Sequence, residues 1–151
     1  MSTSATNPGT VTLDALLSAV RNAVDSGRIG TPVNVRVHWQ FSETELRKAA
    51  LIVARIANEA LGLEVPAWRV RSGKIAASKG NMLNVLGEDR RGRTLLATLF
   101  RGESNEFALT VFGNHGILRL EDAGLDEDSL GTIDEEADWW QSLAEAIGPG
   151  S

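Results

Sequence analysis

The sequence predicts an α+β fold: a single, mostly antiparallel sheet of about five or six strands with helices packed on one face. Three observations carry it. Val33 to Phe41 alternates apolar and polar residues without a break. A long run ending at Leu61 repeats apolar residues at helical spacing. Four or five strand-like runs then follow, separated by short polar or glycine-bearing turns.

Residues 1–11 are rich in Ser, Thr, Asn and Gly and read as a disordered lead. Residues 12–148 read as one domain, and 149–151 as a tail. Thr12 is placed to cap a helix in which Leu13, Leu16, Leu17, Val20 and Val24 form one stripe. Gly27 stops it, because glycine accepts the left-handed conformation past a last turn. In the strand that follows, Val33, Val35, Val37, Trp39 and Phe41 face a core, and Asn34, Arg36, His38 and Gln40 face away. Ser42 and Glu45 have the spacing of a capping box for the next helix. Its stripe is Leu46, Ala49, Ala50, Val53, Ile56, Ala57 and Ala60, widened by Ile52, and Gly62 ends it.

The later strands are expected at 65–71, 82–86, 93–101, 106–112 and 116–121. The turn Gly113-Asn114-His115-Gly116 joins the last two, with Asn and Gly available for positive φ. Leu95-Leu96 and Leu99-Phe100 make these strands apolar on both faces. One helix layer covers only one side of such a sheet, so the second side calls for a partner or a pocket. An acidic loop, 122–138, leads to a closing helix at 139–147 with Trp139, Trp140, Leu143, Ala146 and Ile147 on it.

With 151 residues the chain has the size of one domain. It has no cysteine, which excludes disulfides, thiolate metal sites and a cysteine nucleophile. All 15 Lys and Arg fall in residues 1–120 beside ten acids, and 121–151 hold the other ten acids. The basic excess is small and its densest run is Arg90-Arg91 with Arg93, so nucleic acid is not expected as a partner. No apolar run spans a bilayer and no secretory signal opens the chain, so no membrane association and a cytoplasmic location are expected. The acids at 126, 127, 128, 134, 135, 136 and 138 lack the spacing of a calcium loop, and no metal is expected.

Three stretches together resemble the C-terminal, sheet-bearing half of the glucose–fructose oxidoreductase, inositol dehydrogenase and rhizopine-catabolism family. They are Leu16 to Trp39 with Ser26-Gly27-Arg28-Ile29-Gly30 inside it, Leu109 to Glu121 with its Gly113-to-Gly116 turn, and Trp139 to Ile147. The resemblance implies a helix that feeds the first strand, a late hairpin and a closing helix. It also implies an open sheet face that packs against another subunit.

The same resemblance implies what is missing. The family's cofactor domain is a Rossmann fold, and no strand followed by Gly-x-Gly-x-x-Gly occurs in this chain, so no cofactor is expected. The family's catalytic Asp and His, four residues apart on the long helix, would fall near Lys48 and Ile52. Residues 47–62 contain neither Asp nor His. An isoleucine cannot take a hydroxyl proton.

His38 and Arg36 are candidates for a general base and an anion contact on the outward face, although a surface histidine bonded to a neighbour is the plainer reading. Arg36, Arg69 and Arg71 would grip an anion together with His38 if their strands were neighbours. His115 reads as a turn residue before it reads as a substrate contact. Trp139 and Trp140 point about 100° apart on a helix, one free to serve as an interface anchor. The leading expectation is a non-catalytic partner that oligomerises through the open sheet face, with itself or with a full-length oxidoreductase. The alternative is a small nicotinamide-independent enzyme, an isomerase or cyclase, using Arg36 and His38 on that face.

Overall fold

The alternating segment becomes β2 (Pro32–Phe41), the strand around which the sheet is built. The structure, a computed structural model, describes residues 10–64, 66–73, 81–122, 124–131 and 138–147, without the side chains of Asp122, Asp138, Trp139 and Trp140. Around β2 lie β1 (Thr10–Val11), α1 (Leu13–Asp25), α2 (Leu46–Leu61), β3 (Ala67–Gly73), β4 (Met82–Glu88), β5 (Thr94–Arg101), β6 (Glu106–Gly113), β7 (Ile117–Asp122), β8 (Gly124–Leu125), a 3₁₀ turn (Glu127–Ser129) and α3 (Asp138–Ile147). The fold is α+β. Six strands pair in the order β3-β4-β5-β2-β6-β7. Every pair is antiparallel except β2 with β5, because the chain leaves β2 through α2 and returns to its side only at β5. A separate parallel ribbon joins β1 to β8.

The core forms where Val35, Val37, Trp39 and Phe41 of β2 meet the helices; Val33, expected beside them, is 42% exposed, where the pairing with β6 shifts register between Pro32 and Asn34. Trp39 is fully buried, with Phe41 and Phe107 rings 4.8 and 6.0 Å away. Burial of such a ring removes roughly 150–250 Å² from water. α2 lies over β5, β2 and β4 and is buried on nearly all sides, because α1 flanks it on one side and α3 on the other. Its alanines keep that three-sided packing close. The Arg21–Glu59 ion pair at 2.8 Å ties α1 to α2. α3 covers β3: Leu143 and Ile147 are buried, and Ser142 Oγ accepts from Trp68 Nε1 at 3.1 Å. The Trp68 ring lies so close over β4 that a Cβ at Gly87 would sit 2.5 Å from it.

Several local expectations hold. Thr12 Oγ1 accepts from the Ala15 amide, Gly27 has φ 77°, and Gly62 ends α2 with φ 60°. Others are corrected. The lead does not run to residue 11, since Thr10 and Val11 pair with Gly124 and Leu125. The expected acidic loop is partly structured, with Leu125 and Leu130 buried. Ser42 and Glu45 form no capping box, and Glu45 precedes α2 with no side-chain cap bond. The carboxylate of Glu127 takes that place from 85 residues away, accepting the amides of Ser42, Glu43 and Thr44 at 3.1, 3.0 and 2.6 Å, and both hydroxyls.

The densest basic run serves the other end of α2. Arg93 Nη1 donates to the Leu61 carbonyl, and Arg91 Nη2 donates to the Gly62 carbonyl at 2.8 Å. Two cations thus face the negative end of the helix dipole and satisfy carbonyls that have no helical partner. The turn that carries them is held by Asp89, whose Oδ1 accepts the amides of Arg91 and Arg93, each at 2.9 Å. Arg93→Ala is expected to cost about 1–2 kcal/mol. A urea melt read by Trp fluorescence checks this, and an unchanged midpoint would contradict the capping role.

Candidate functional site

The helices all lie on one side of the sheet, so the even-numbered residues of β2 face the side that no described element covers. The pairing register places the side chains of this open face in rows across the strands. One row runs Arg69, Leu86, Leu96, Arg36, Thr110, Arg119. The next runs Arg71, Asn84, Thr98, His38, Ala108, Glu121. Two shorter rows flank these: Met82, Phe100, Gln40 and Glu106 on one side, Glu88, Thr94, Asn34, Phe112 and Ile117 on the other.

The chemistry of the face is mixed. Leu86 and Leu96 sit directly opposite each other, 38% and 41% exposed, between Arg69 and Arg36. Ile117, on the edge strand β7, is 60% exposed. The Arg36 guanidinium lies over the Phe112 ring, 5.4 Å from its centroid, and the His38 imidazole meets Phe100 edge-on at 5.3 Å. Thr98 Oγ1 donates to Asn84 Oδ1 at 3.1 Å, and Asn34 Nδ2 bonds Thr94. Ser104 Oγ lies 2.7 Å from Gln40 Oε1 and 2.9 Å from Glu106 Oε2. Arg119 and Glu121 are 4.0 Å apart, both well exposed. The face therefore has a central aliphatic pair, one arginine over an aromatic ring, a histidine edge-on to another, and polar groups bonded among themselves. No described helix or loop folds over it.

The residues singled out in the sequence are distributed as follows. Arg36 and His38 share the open face, two positions apart on β2. Arg69 and Arg71 share it too, but on the far edge strand: β4 and β5 separate them from β2. Three strand spacings put Arg36 about 14 Å from that edge. The strands are not neighbours, and the three arginines do not converge on one small anion. His38 makes no hydrogen bond among the described residues.

His115 lies in the turn between β6 and β7, and its amide donates to the Ile29 carbonyl at 2.9 Å. Neither Gly113 nor Gly116 has positive φ, so the turn does not draw on the left-handed freedom of its glycines. Trp139 and Trp140 lie in the first turn of α3, and their side chains fall outside the described residues. Ile52, at the place where the resemblance would put a catalytic side chain, is fully buried in the core. Among the described residues, no three acids or histidines are grouped as a metal site would need, and no helix is long and apolar enough to cross a membrane.

The sequence pointed to this face through Leu96 and Phe100, but it missed Leu86, Arg119 and the acids Glu88, Glu106 and Glu121. The signal for Leu86 was present in Val85-Leu86, a second pair of adjacent apolar residues within one strand.

No protein-family model and no curated protein matches the sequence. Solved structures do match. The myo-inositol dehydrogenase of Lactobacillus casei, solved with NAD(H) and myo-inositol, is 17% identical over 69% of this chain, with a TM-score of 0.59. The apo scyllo-inositol dehydrogenase of the same organism is 14% identical over 89% of the chain, also at 0.59. A levoglucosan dehydrogenase solved with NADH and L-sorbose is 10% identical over 72%, at 0.57. The chain spans 35%, 48% and 38% of the lengths of these three. At this identity the likeness is one of fold. In fold, the chain resembles the C-terminal, sheet-bearing half of the glucose–fructose oxidoreductase, inositol dehydrogenase and rhizopine-catabolism family.

Proposed function

We propose that the chain is a non-catalytic, cytoplasmic partner that associates through the open face of its six-stranded sheet. The observation that carries this reading is the Leu86–Leu96 pair, exposed at the centre of an uncovered sheet face. Contiguous apolar surface of this kind marks an interaction site on a folded protein. The resemblance supports the same reading, because it implies a sheet face packed against another subunit.

The occupant favoured is a second copy of the chain. The face carries both signs, Arg36, Arg69, Arg71 and Arg119 against Glu88, Glu106 and Glu121, so a like face offers it opposite charges as well as matching leucines. A full-length oxidoreductase subunit of the same fold is the other occupant that the reading allows. Sedimentation at micromolar concentrations tests the proposal. A dimer or higher oligomer is expected. A strict monomer that also fails to bind such an oxidoreductase would overturn it.

Replacement of Arg36 and His38 by Ala addresses the alternative, a small nicotinamide-independent isomerase or cyclase. On the partner reading the double variant folds and associates more weakly, because Arg36 lies beside Leu96 on the associating face. Loss of a turnover that the parent chain possesses would favour the enzyme.

A further inference from the structure

The segment after β7 turns under the end of the sheet and is held there by two buried leucines and by a set of polar contacts to distant parts of the chain. β8 pairs with β1, and the Asp126 amide donates to the Val11 carbonyl at 2.8 Å. Asn105 clamps Leu125 from both sides, its Nδ2 donating to the Leu125 carbonyl at 2.8 Å and its Oδ1 accepting the Leu125 amide at 3.3 Å. Ser129 Oγ accepts the Leu13 amide at 2.9 Å. Glu127 fills the loop between β2 and α2, where one carboxylate answers three backbone amides and two hydroxyls. Among the described residues 124–130, Leu125 and Leu130 are the apolar side chains, and both are buried.

We propose that residues 124–130 form a strap latched by the Glu127 carboxylate, and that in acid this strap detaches as a unit from a sheet that stays folded. Five of its contacts end on one group that can lose its charge. A protonated carboxyl carries a donor of its own and accepts weakly, so the amides of Ser42, Glu43 and Thr44 lose their partner together. Among the described residues no other hydrogen bond of the strap reaches the 42–44 loop, and the remaining ties, the two-residue β8, the Asn105 clamp, the Ser129–Leu13 bond and two leucines, are few. The sheet core is aliphatic and aromatic. Asp89, the buried carboxylate among its described residues, sits at the opposite end of the sheet, in the β4–β5 turn. Gly131, with φ 67° and nothing within 4 Å of where a Cβ would stand, follows the strap without packing against it.

The direction of the pH effect follows from the surroundings of Glu127. Burial alone would raise its pKa, but the Thr44 hydroxyl and the amides of Ser42, Glu43 and Thr44 outweigh burial and hold it below the usual carboxylate range. A carboxyl lowered on folding contributes stability that is fully present above its unfolded pKa, about 4.3, and lost as the pH falls through the lower folded value. The elements packed against it carry Glu43 and Glu45 in the β2–α2 loop, Asp14 in α1, Arg101 at the end of β5, and Glu103 and Glu106 beside Asn105. Asp126 and Asp128 flank it in the strap. Most of these are acids; Arg101, with Arg47 and Lys48 in the first turn of α2, keeps its charge at low pH.

Amide exchange and chemical shifts of the full chain, followed by ¹⁵N NMR from pH 7 to pH 3, test the proposal. Exchange rates are corrected for their intrinsic pH dependence. As Glu127 titrates, the amides of Leu13, Ser42, Glu43, Thr44 and Leu125 are expected to lose protection together, about tenfold or more, while Val85, Ala97 and Leu109 keep theirs. Glu127→Gln should show the open pattern already at pH 7. Asn105→Ala should weaken the strap but leave its pH dependence. Loss of strap and sheet protection in a single step, or strap protection unchanged to pH 3, would overturn the proposal. If Glu127→Gln does not fold, the pH series on the parent chain decides alone.

Discussion

Gly113→Ala is expected to cost about 3–5 kcal/mol, a large part of the roughly 5–15 kcal/mol that holds a domain together. A Cβ at this position would stand 2.0 Å from the Ile29 carbonyl oxygen and 2.8 Å from its carbon. That neighbour is backbone and cannot swing aside. The carbonyl is also in use, since it accepts the His115 amide at 2.9 Å. Beside it, the Asn114 amide donates to the Thr31 carbonyl at 3.0 Å, and the Thr31 amide donates to Asn114 Oδ1 at 2.8 Å.

The turn after α1 and the turn after β6 are thus fastened together by three hydrogen bonds, and a methyl group would prise them apart. Gly27→Ala provides the contrast. Its φ of 77° makes alanine unfavourable, but nothing lies within 4 Å. The cost there is backbone strain alone, about 1–2 kcal/mol. Thermal melts of the two variants separate contact from conformation. Gly113→Ala should lower Tm by about 10 °C or more, and Gly27→Ala by a few degrees. Equal shifts would show that Ile29 moves freely and that the contact matters little.

These two turns also lie within two of the three stretches that carried the family resemblance in the sequence. Their docking gives a physical reason for the pattern: Gly113 is needed where it meets the Ile29 backbone, and Gly30 where it meets the Asn114 and His115 side chains. A Cβ at Gly30 would stand 2.1 Å from Asn114 Oδ1. The resemblance was legible, while its cause needed the third dimension.

Legibility elsewhere followed sequence distance. The alternation in β2 gave the core face and the open face correctly from Asn34 to Phe41, because strand periodicity is a local property, and failed at Val33, where the pairing register shifts. Thr12, Gly27 and Gly62 marked helix ends for the same reason. Ser42 and Glu45 misled because a capping box is recognised by spacing alone, and the spacing is blind to a competing acid 85 residues away. Glu127 wins that competition by supplying a partner to three amides at once. Strand order was equally hidden. Nothing in Arg69, Arg71 or Arg36 tells that two strands will lie between them, since order depends on where α2 lets the chain return. The β1–β8 ribbon, two residues on each side, is too short to have a period at all.

Leu96→Glu should abolish association while leaving the protomer folded. Leu96 sits in β5 between Leu86 and Arg36. At 41% exposure in the single chain it contributes little to the protomer's own core, and the new carboxylate would face Arg36 directly across the strand pair. The expected loss of protomer stability is therefore about 1 kcal/mol or less, the usual scale for strand propensity. In an interface the same change buries a charge against the partner's leucines, which costs about 2–5 kcal/mol and weakens association roughly 30-fold to several thousand-fold. Arg71→Ala, on the edge strand, removes a rim charge and should shift association and its salt dependence only slightly. Sedimentation with a parallel thermal melt reads both quantities. An oligomer that survives Leu96→Glu would place the contact elsewhere on the molecule. A variant that dissociates only because it unfolds would return Leu96 to the core, against its exposure in the sheet.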